Sequence, residues 1–262
     1  LDTLVFARNL APSRERAQAL ILAGHVAVNG RTATKAGEAV AIDADITLLA
    51  ADHPYVGRGG IKLAHALETF GIAVAGRRAL DIGASTGGFT DVMLHHGAAH
   101  VVAIDVGHNQ LDWKLRSDAR VTVREGVNAR YLTPDDLPAD RRRFGLITID
   151  VSFISLAHIL PVLPALLEPA GRVVALVKPQ FEAGREDVGK GGIVREPELH
   201  DEVCATITQW LAEQPGWQVL GVTESPITGA EGNKEFLIAG VFVGDHVMGE
   251  LARRFPRLEW AH

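Results

Sequence analysis

The sequence predicts an α/β domain with a mostly parallel, doubly wound sheet of seven strands, preceded by a small α+β unit. From residue 78 onward, apolar runs alternate with helical patterns at the spacing of βα units. The first 50 or so residues instead carry a helix pattern followed by short strands bounded by turns. At about 150 residues per domain, the 262-residue chain has room for both.

The N-terminal unit is predicted to be a helix that leads into a hairpin. Ser13 is a typical helix N-cap residue and Gly24 a typical stop. Residues 26–28 alternate up to Asn29-Gly30, the strongest short hairpin signal. Val40 to Leu49 predicts a second strand pair. We therefore expect an N-terminal domain over residues 1–52, a linker over 53–58 and the larger domain over 59–262.

The larger domain is predicted from its apolar runs. The expected strands are Arg78 to Ile82, Val101 to Ile104, Val121 to Val123, Leu146 to Ile149, Val173 to Val177, Val219 to Val222 and Phe236 to Val243. The expected helices between them include Phe89 to His96, Ile159 to Leu167 and Pro197 to Glu213. Because no helical pattern separates the last two strands, we expect them to form an antiparallel pair at the sheet edge.

Composition and charge narrow the function classes. A hydrophobic content of 47% excludes disordered and collagen-like chains, and the single cysteine, Cys204, excludes an internal disulfide and favours a reducing, cytoplasmic setting. The sequence shows neither a clean apolar run of membrane-spanning length nor a secretory pattern. We expect no membrane association and no requirement for a metal.

A local basic cluster lies within a chain whose net charge is −6. Residues 8–35 contain five basic residues and a single acidic residue, Glu15. The helix and hairpin context favours phosphate contacts with RNA, and the alternative is an ordinary solvated face. The predicted RNA-binding residues of this cluster are Arg8, Arg14, Arg16, Arg31 and Lys35.

A glycine-rich segment over residues 81–89 follows the first predicted strand and opens a helix. A dinucleotide fingerprint would need glycine at Ser85, and a P-loop would need lysine at Phe89. The remaining match is the acidic, glycine-rich loop of S-adenosylmethionine (SAM) methyltransferases. Asp105 ends the next strand, where a carboxylate can accept hydrogen bonds from both ribose hydroxyls of a nucleoside. The predicted cofactor-binding residues are Asp81, Gly83, Ala84, Ser85, Thr86, Gly87, Gly88, Phe89, Asp105, Asn128 and Asp150.

Two charged residues end the fourth and fifth strands, Asp150 and Lys178. Desolvation favours a neutral lysine and a nearby carboxylate favours the charged form, so their balance would tune Lys178 as a proton acceptor. The alternative for Lys178 is a surface lysine with a buried stem. Lys62 and Glu235 are weak signals when each is taken alone.

Five short motifs in order carry a family resemblance. They are Arg58-Gly-Gly-Ile-Lys-Leu63, the 81–89 segment, Asp150-Val-Ser-Phe-Ile-Ser155, Leu176-Val-Lys-Pro-Gln-Phe-Glu182 and Gly232-Asn-Lys-Glu235. Together they resemble the TlyA family of ribosomal RNA ribose 2′-O-methyltransferases, also labelled haemolysin A. In that family an S4-type RNA-binding domain precedes a Rossmann-like, FtsJ-like SAM-dependent methyltransferase domain.

The resemblance implies a site and a substrate. The Lys-Asp-Lys-Glu tetrad of FtsJ-like enzymes falls on Lys62, Asp150, Lys178 and Glu235, with Lys178 as base or hydroxyl-orienting group. The implied substrate is a cytidine 2′-hydroxyl in 23S rRNA, in ribosomal subunits. A helix starting near Leu1 resembles the longer members, which also modify 16S rRNA. In this family the linker between the domains influences cofactor binding.

Several alternatives stay open at this stage. Carbon methylation is disfavoured because Cys204 lies outside every motif, and methylation of an exocyclic amine is disfavoured because residues 150–153 lack the usual prolines. Phe153 is expected either to stack on the target base or to pack in the core. A non-catalytic RNA-binding protein and a membrane-lytic haemolysin are the rival functions. The sequence does not fix the oligomeric state.

Overall fold

The computed structural model describes residues 1–11, 13–49, 53–184, 188–189, 192–229 and 232–244. The N-terminal unit combines two helices with a three-stranded antiparallel sheet in the order β2-β1-β3. Its elements are α1 (Asp2–Ala7), α2 (Arg14–Leu22), β1 (Val26–Val28), β2 (Arg31–Ala33) and β3 (Ile46–Leu48). A small core that includes Val5, Ile21 and Val26 joins the helices to the sheet.

Local sequence explains the start of this unit. The Ser13 Oγ accepts the Arg16 N–H at 3.1 Å and so caps α2, and Gly24 ends the helix region at φ +78°. Asn29 and Gly30 both have positive φ, as the predicted two-residue hairpin turn requires. The helix and hairpin are therefore confirmed.

The strand pair predicted over Val40 to Leu49 is wrong. Only Ile46–Leu48 forms a strand, and it pairs with β1. Arg8 donates hydrogen bonds to the carbonyl oxygens of Ile42 and Ala44 at 2.6 and 2.7 Å. Because these carbonyls bond to a side chain, they are not available to a neighbouring strand.

The larger unit is built on a seven-stranded sheet in the order β6-β5-β4-β7-β8-β10-β9. Its strands are β4 (Arg78–Ile82), β5 (His100–Asp105), β6 (Val121–Glu125), β7 (Phe144–Ile149), β8 (Leu167–Val177), β9 (Trp217–Glu224) and β10 (Phe236–Phe242). Strands β4 to β8 are parallel, and β10 runs antiparallel to both β8 and β9. The predicted fold class and the antiparallel pair are confirmed. Strand β10 lies inside the sheet, so β9 alone forms that edge.

Helices cover both faces of this sheet. On one face α3 (Gly59–Thr69) and α4 (Gly88–His95) pack through side chains such as Leu63 and Val92, and on the other α7 (Pro197–Glu213) packs through Val203 and Ile207. Two single-turn helices, α5 (Trp113–Arg116) and α6 (Pro179–Glu182), complete the set in the described residues. The sheet is therefore doubly wound, with its topological switch point at β4.

The helix predicted over Ile159 to Leu167 is wrong. The chain instead forms two 3-10 segments, Leu156–His158 and Leu160–Ala165. Pro161 and Pro164 lack the amide hydrogens that an α-helix interior needs, and Leu167 already belongs to β8. The apolar spacing correctly indicates burial but not the type of helix.

The cap of α2 gives a testable stability effect. We expect Ser13→Ala to destabilise the N-terminal unit by about 1 kcal/mol, because the Arg16 N–H loses its acceptor. Ser13→Asn supplies another good cap and should stay near wild type. Amide hydrogen exchange of α2 in a urea series measures both. Equal protection in the alanine variant and wild type would contradict the capping role.

Candidate active site

Four charged side chains converge at one edge of the large sheet. Asp150 follows β7 and Lys178 follows β8, so two parallel strands end side by side. Glu235 precedes β10, which runs the other way and pairs Phe236 with Val177. Lys62 comes from the first turn of α3. The antiparallel direction of β10 is what brings its beginning to the edge where the other strands end.

These four residues form two ion pairs. The Lys178 Nζ lies 2.6 Å from Asp150 Oδ1 and donates to the Ser152 Oγ at 3.1 Å. The Lys62 Nζ donates to Glu235 Oε2. Both lysines are 9% exposed and Glu235 is 4% exposed. The structure therefore brings the predicted tetrad together, and it adds Ser152, whose motif position was the only sequence signal for it.

The electrostatics of the tetrad favour charged forms. Burial by itself would lower the pKa of Lys178, but the carboxylates of Asp150 and Glu235 outweigh burial and raise it above its ordinary value. Burial would likewise raise the pKa of Asp150, but Lys178 and Lys62 together lower it. In this arrangement Lys178 is an ammonium group bound to a carboxylate.

The glycine loop between β4 and α4 is pressed against this site. Gly83 has φ +82°, and a Cβ there would lie 2.2 Å from the carbonyl oxygen of Asp150. Gly87 is the N-cap of α4 with φ +98°, and a Cβ there would lie 2.2 Å from Leu115 Cδ1. Both positions therefore require glycine, for conformation and for space.

Asp81 lies beneath this loop and is fully buried. Its carboxylate accepts the Thr90 hydroxyl at 2.7 Å and the Thr148 hydroxyl at 2.9 Å. Burial raises its pKa to about 6, although both hydroxyls act in the opposite direction. The two threonines fix the carboxylate between β4, α4 and β7, and sequence analysis did not single them out.

A cavity of about 580 Å³ runs along the ends of β4 and β5. Asp105 on its wall accepts the Ser85 N–H at 2.8 Å and the Gly107 N–H at 2.7 Å, which leaves one lone pair on each oxygen for a ligand. The Asn128 Oδ1 accepts the Arg130 N–H at 3.0 Å, so its NH₂ group is available. The predicted cofactor residues on this cavity are Gly83, Ser85, Asp105, Asn128 and Asp150.

A smaller cleft of about 150 Å³ adjoins the cavity and contains Lys62. The predicted cofactor residues Ala84, Thr86, Gly88 and Phe89 line this cleft. Asp81 and Gly87 line neither the cavity nor the cleft. Asp81 supports the glycine loop from beneath, and Gly87 forms its end at the N-cap of α4. Their contact with a cofactor stays a prediction.

The basic residues of the N-terminal unit are partly engaged within the protein. Arg14 pairs with Asp2 at 2.7 Å, and Arg16 pairs with Asp112 of the larger unit at 2.5 Å. Arg8 bonds to two carbonyls, as described above, and has no carboxylate partner among the residues that the structure describes. Arg31 and Lys35 are exposed. Acidic residues are nearly absent along this stretch of sequence, but in space Asp2 and Asp112 neutralise two of the arginines.

The linker contacts both units. The His25 ring Nε2 lies 3.3 Å from the Val56 carbonyl, and the Val56 N–H donates to Asp91 Oδ2 on α4 at 2.9 Å. The Asp112 N–H in turn donates to the Thr86 carbonyl of the glycine loop at 3.1 Å. The interface between the units therefore touches the loop through Asp112.

Two further predicted features can be placed. Phe153 is 90% exposed, which excludes the core interpretation of this aromatic. The glycine-rich sequence of residues 184–195 also predicts a loop beside Lys178, and this segment lies partly outside the described residues, which omit 185–187, 190 and 191. Its described end is fixed by Asn233, which donates to the Gly192 carbonyl at 2.9 Å and accepts the Val194 N–H at 3.0 Å.

Comparison with known families agrees with this geometry. Residues 55–242 match the FtsJ-like methyltransferase family, and residues 1–46 match the S4 domain. The chain belongs to the FtsJ-like methyltransferase family. The order of the two domains and the relatives below confirm the resemblance to TlyA proteins drawn from the five motifs.

Three relatives show how far the similarity extends. A Mycobacterium tuberculosis protein named 16S/23S rRNA (cytidine-2′-O)-methyltransferase TlyA is 46% identical over 91% of this chain and 88% of its own length. Hemolysin A of Brachyspira hyodysenteriae is 43% identical over 90% of this chain and 97% of its own. A solved structure from Streptococcus thermophilus, which carries a hemolysin label, is 43% identical, covers 99% of this chain and 98% of that chain, and has a TM-score of 0.72.

The buried carboxylate beneath the glycine loop predicts a pH effect on stability. Because the folded-state pKa of Asp81 is about 6 against an ordinary value of 3.8, the folded protein binds this proton more tightly than the unfolded chain. Its contribution to the free energy of unfolding should therefore fall by about 2 to 3 kcal/mol as the pH rises from about 4 to 7.

Asp81→Asn tests this effect, because the amide keeps the size of the carboxylate and partners for both threonine hydroxyls but does not titrate. Urea unfolding at several pH values should show the variant gaining stability over wild type by that amount between pH 4 and 7. A difference that does not vary with pH would contradict the raised pKa.

Proposed function

We propose that this protein transfers a methyl group from SAM to the ribose 2′-hydroxyl of cytidine in ribosomal RNA, in the cytoplasm. The observation that carries the proposal is the ion pair between the buried Lys178 and the half-buried Asp150 beside the glycine loop. This pair places a proton-handling group next to a cavity of cofactor size. The name of the Mycobacterium tuberculosis relative supports 23S and 16S rRNA as the substrates.

The large cavity fits SAM. Its volume of about 580 Å³ is within the usual range for small-molecule sites. The free lone pairs of Asp105 suit a pair of ribose hydroxyls, and the Asn128 NH₂ group suits an acceptor nitrogen of adenine. When bound, SAM supplies an electrophilic methyl group on a sulfonium. The close approach of Gly83 to Asp150 keeps that region of the cavity beside Lys178.

In the proposed reaction the tetrad positions the ribose oxygen and handles its proton. The Lys178 Nζ holds the 2′-hydroxyl, and after losing its own proton it accepts the hydroxyl proton as the oxygen attacks. Asp150 orients Lys178, and the Lys62–Glu235 pair holds the ribose or its phosphate from α3. The carboxylates raise the pKa of Lys178, so its charged form dominates at rest and its neutral form is the minor one.

RNA is proposed to approach from the N-terminal unit. Arg31 and Lys35 are exposed on and beside the hairpin, and the Arg8 guanidinium keeps its positive charge. Arg14 and Arg16 would reach phosphates only by exchanging their carboxylate partners. Phe153, at the rim of the large cavity, presents an aromatic face on which an unpaired base can stack.

The two rival functions have less support. A non-catalytic RNA-binding protein would not need two ion pairs of buried lysines beside a nucleoside-sized cavity. A lytic haemolysin is implied only by names, and in the described ranges no helix has the length and apolar character needed to cross a membrane.

Methyl transfer to purified ribosomal subunits that lack the modification tests the function. We expect label from SAM to appear at a 2′-O-methylated cytidine, as mapped by nuclease digestion. Lys178→Ala should reduce the rate by about 10² to 10⁴, the usual contribution of a general base, and should retain SAM binding. SAM binding without transfer to either subunit would contradict the proposed substrate.

The pH dependence separates the two roles of Lys178. If Lys178 must lose a proton, the single-turnover rate should rise about tenfold per pH unit between pH 6.5 and 8.5, because its pKa is raised. A single-turnover rate that does not change with pH would show that Lys178 acts as a charged group that orients the hydroxyl. Lys178→Arg, which stays charged, should then keep much of the activity, whereas the base role predicts a loss as large as in Lys178→Ala.

The linker is proposed to couple the N-terminal unit to the cofactor cavity. Tyr55 packs so closely on α3 that a Cβ at Gly60 would lie 2.5 Å from its ring, and its ring also makes an edge contact with His95. Replacing residues 53–56 with Gly-Ser-Gly-Ser should weaken SAM binding about tenfold in calorimetry, because this packing is lost. The control replaces the exposed residues 37–39 with Gly-Ser-Gly. Unchanged SAM affinity in the linker variant would rule out coupling through this segment.

A further inference from the structure

Two of the five motifs end in residues that bond to each other. Ser155 closes the segment that follows β7, and Glu182 closes the segment that follows β8. The Ser155 Oγ donates to Glu182 Oε2 at 2.6 Å, and the Leu156 N–H donates to Glu182 Oε1 at 2.9 Å. One carboxylate therefore fastens the loop after β7 to the loop after β8, and neither residue has a place in the tetrad.

The surroundings of Glu182 argue that this contact is specific. The residue is partly buried and, within the described ranges, has no lysine or arginine at ion-pair distance. Burial raises the pKa of Glu182, and the hydrogen bonds from Ser155 and Leu156, together with the nearby His158, act against it. A carboxylate kept in such a position is held mainly by the loop that it binds.

The loop that Glu182 fastens carries the groups closest to the proposed reaction. Ser152 accepts a hydrogen bond from Lys178, and the next residue, Phe153, has φ +64° and an almost fully exposed ring. Positive φ is unfavourable for a phenylalanine and persists only where the surrounding structure imposes it. The Glu182 carboxylate binds Ser155, which lies two residues after Phe153 on one loop. Glu182 itself directly follows Phe181 on the other loop.

The two phenylalanines form a pair because of this connection. The ring centroids of Phe153 and Phe181 are 5.1 Å apart with a 49° tilt. Phe153 remains exposed despite the contact, so the pair presents an aromatic face at the cavity rim beside Lys178. Such a face can stack on a base that has left its helix.

We propose that Glu182 is a positioning residue that holds the Phe153–Phe181 pair in place to stack the base of the substrate nucleotide. This inference rests on the proposed function. Glu182 does not touch the reacting atoms and acts through Phe153. Releasing the loop would leave Lys178 and the cofactor cavity present but would let the base, and with it the ribose oxygen, move away from alignment.

A double-mutant cycle tests this role. The variants are Glu182→Ala, Phe153→Ala and the double variant, assayed for kcat and KM on undermethylated ribosomal subunits. We expect Phe153→Ala to lower kcat/KM roughly tenfold to hundredfold, the range of one lost stacking contact. Glu182→Ala should lower it about tenfold, and the double variant should match Phe153→Ala within about twofold, because both changes remove the same contact.

Two further variants test whether the loss of activity comes specifically from the contacts of Glu182. Glu182→Gln keeps the side-chain size, and its amide can accept the Leu156 N–H and donate to the Ser155 Oγ. Because both hydrogen bonds lose the assistance of the negative charge, its effect should lie between wild type and Glu182→Ala. Glu202→Gln makes the same chemical change at an exposed position of α7 and should leave activity unchanged. Amide exchange of residues 150–157 should be faster in both Glu182 variants than in wild type.

The outcomes separate this inference from the function on which it rests. Effects that multiply in the double variant, or full activity in Glu182→Ala, would show that Glu182 does not act through Phe153. If wild type transfers no methyl group to ribosomal RNA, the proposed function fails instead. Faster amide exchange of the loop in Glu182→Gln would in that case still show that Glu182 holds the loop through Ser155 and Leu156.

Discussion

The pairing of buried charges governs the architecture of the active site. Two lysines with only 9% exposure are tolerable only because a carboxylate meets each of them. The four residues come from α3, β7, β8 and the start of β10, which are far apart in sequence. Each element must therefore end or begin at the same edge of the sheet, and the reversed direction of β10 is the feature that makes the fourth charge available there. Removing any one charge would leave its partner uncompensated.

The second constraint is the contact between the glycine loop and Asp150. The loop backbone fits only because Gly83 lacks a side chain, and the Asp150 N–H also donates to the Ile82 carbonyl at 2.9 Å. The wall of the large cavity and the Asp150 carboxylate are thus parts of one connected element. Asp81 and its two threonines support that element from below. Groups that must meet within about 3 Å during a reaction gain from such rigidity, because misalignment is costly in rate.

Much of this could be predicted from sequence because it depends on local chemistry. The parallel strands, the Asn29-Gly30 turn and the Ser13 cap each have a short-range signal, and strand ends in a parallel sheet necessarily share an edge. The start of α3 was not predicted, since two glycines open it. The 3-10 segments were missed because burial periodicity hides the effect of Pro161 and Pro164.

The remaining differences are long-range in origin. Asp112 lies 96 positions from Arg16 and Asp2 lies 12 from Arg14, so charge counting within a short window could not pair them. The insertion of β10 between β8 and β9 likewise follows from tertiary packing. The contact between Ser155 and Glu182 joins two motifs that each looked complete. Sequence spacing identified these residues, and only the fold shows which of them meet.

The Arg16–Asp112 pair gives the protein a particular response to ionic strength. The Arg16 side chain is 39% exposed, so salt can screen its attraction to Asp112, and the same salt would screen the phosphate contacts proposed for the N-terminal unit. Phosphates and Asp112 also compete for the same guanidinium. Raising the salt concentration therefore weakens the pairing of Arg16 with Asp112 between the two units. In the proposed RNA complex, an arginine that must leave Asp112 to bind a phosphate adds less to the salt dependence of RNA binding than an arginine without a carboxylate partner.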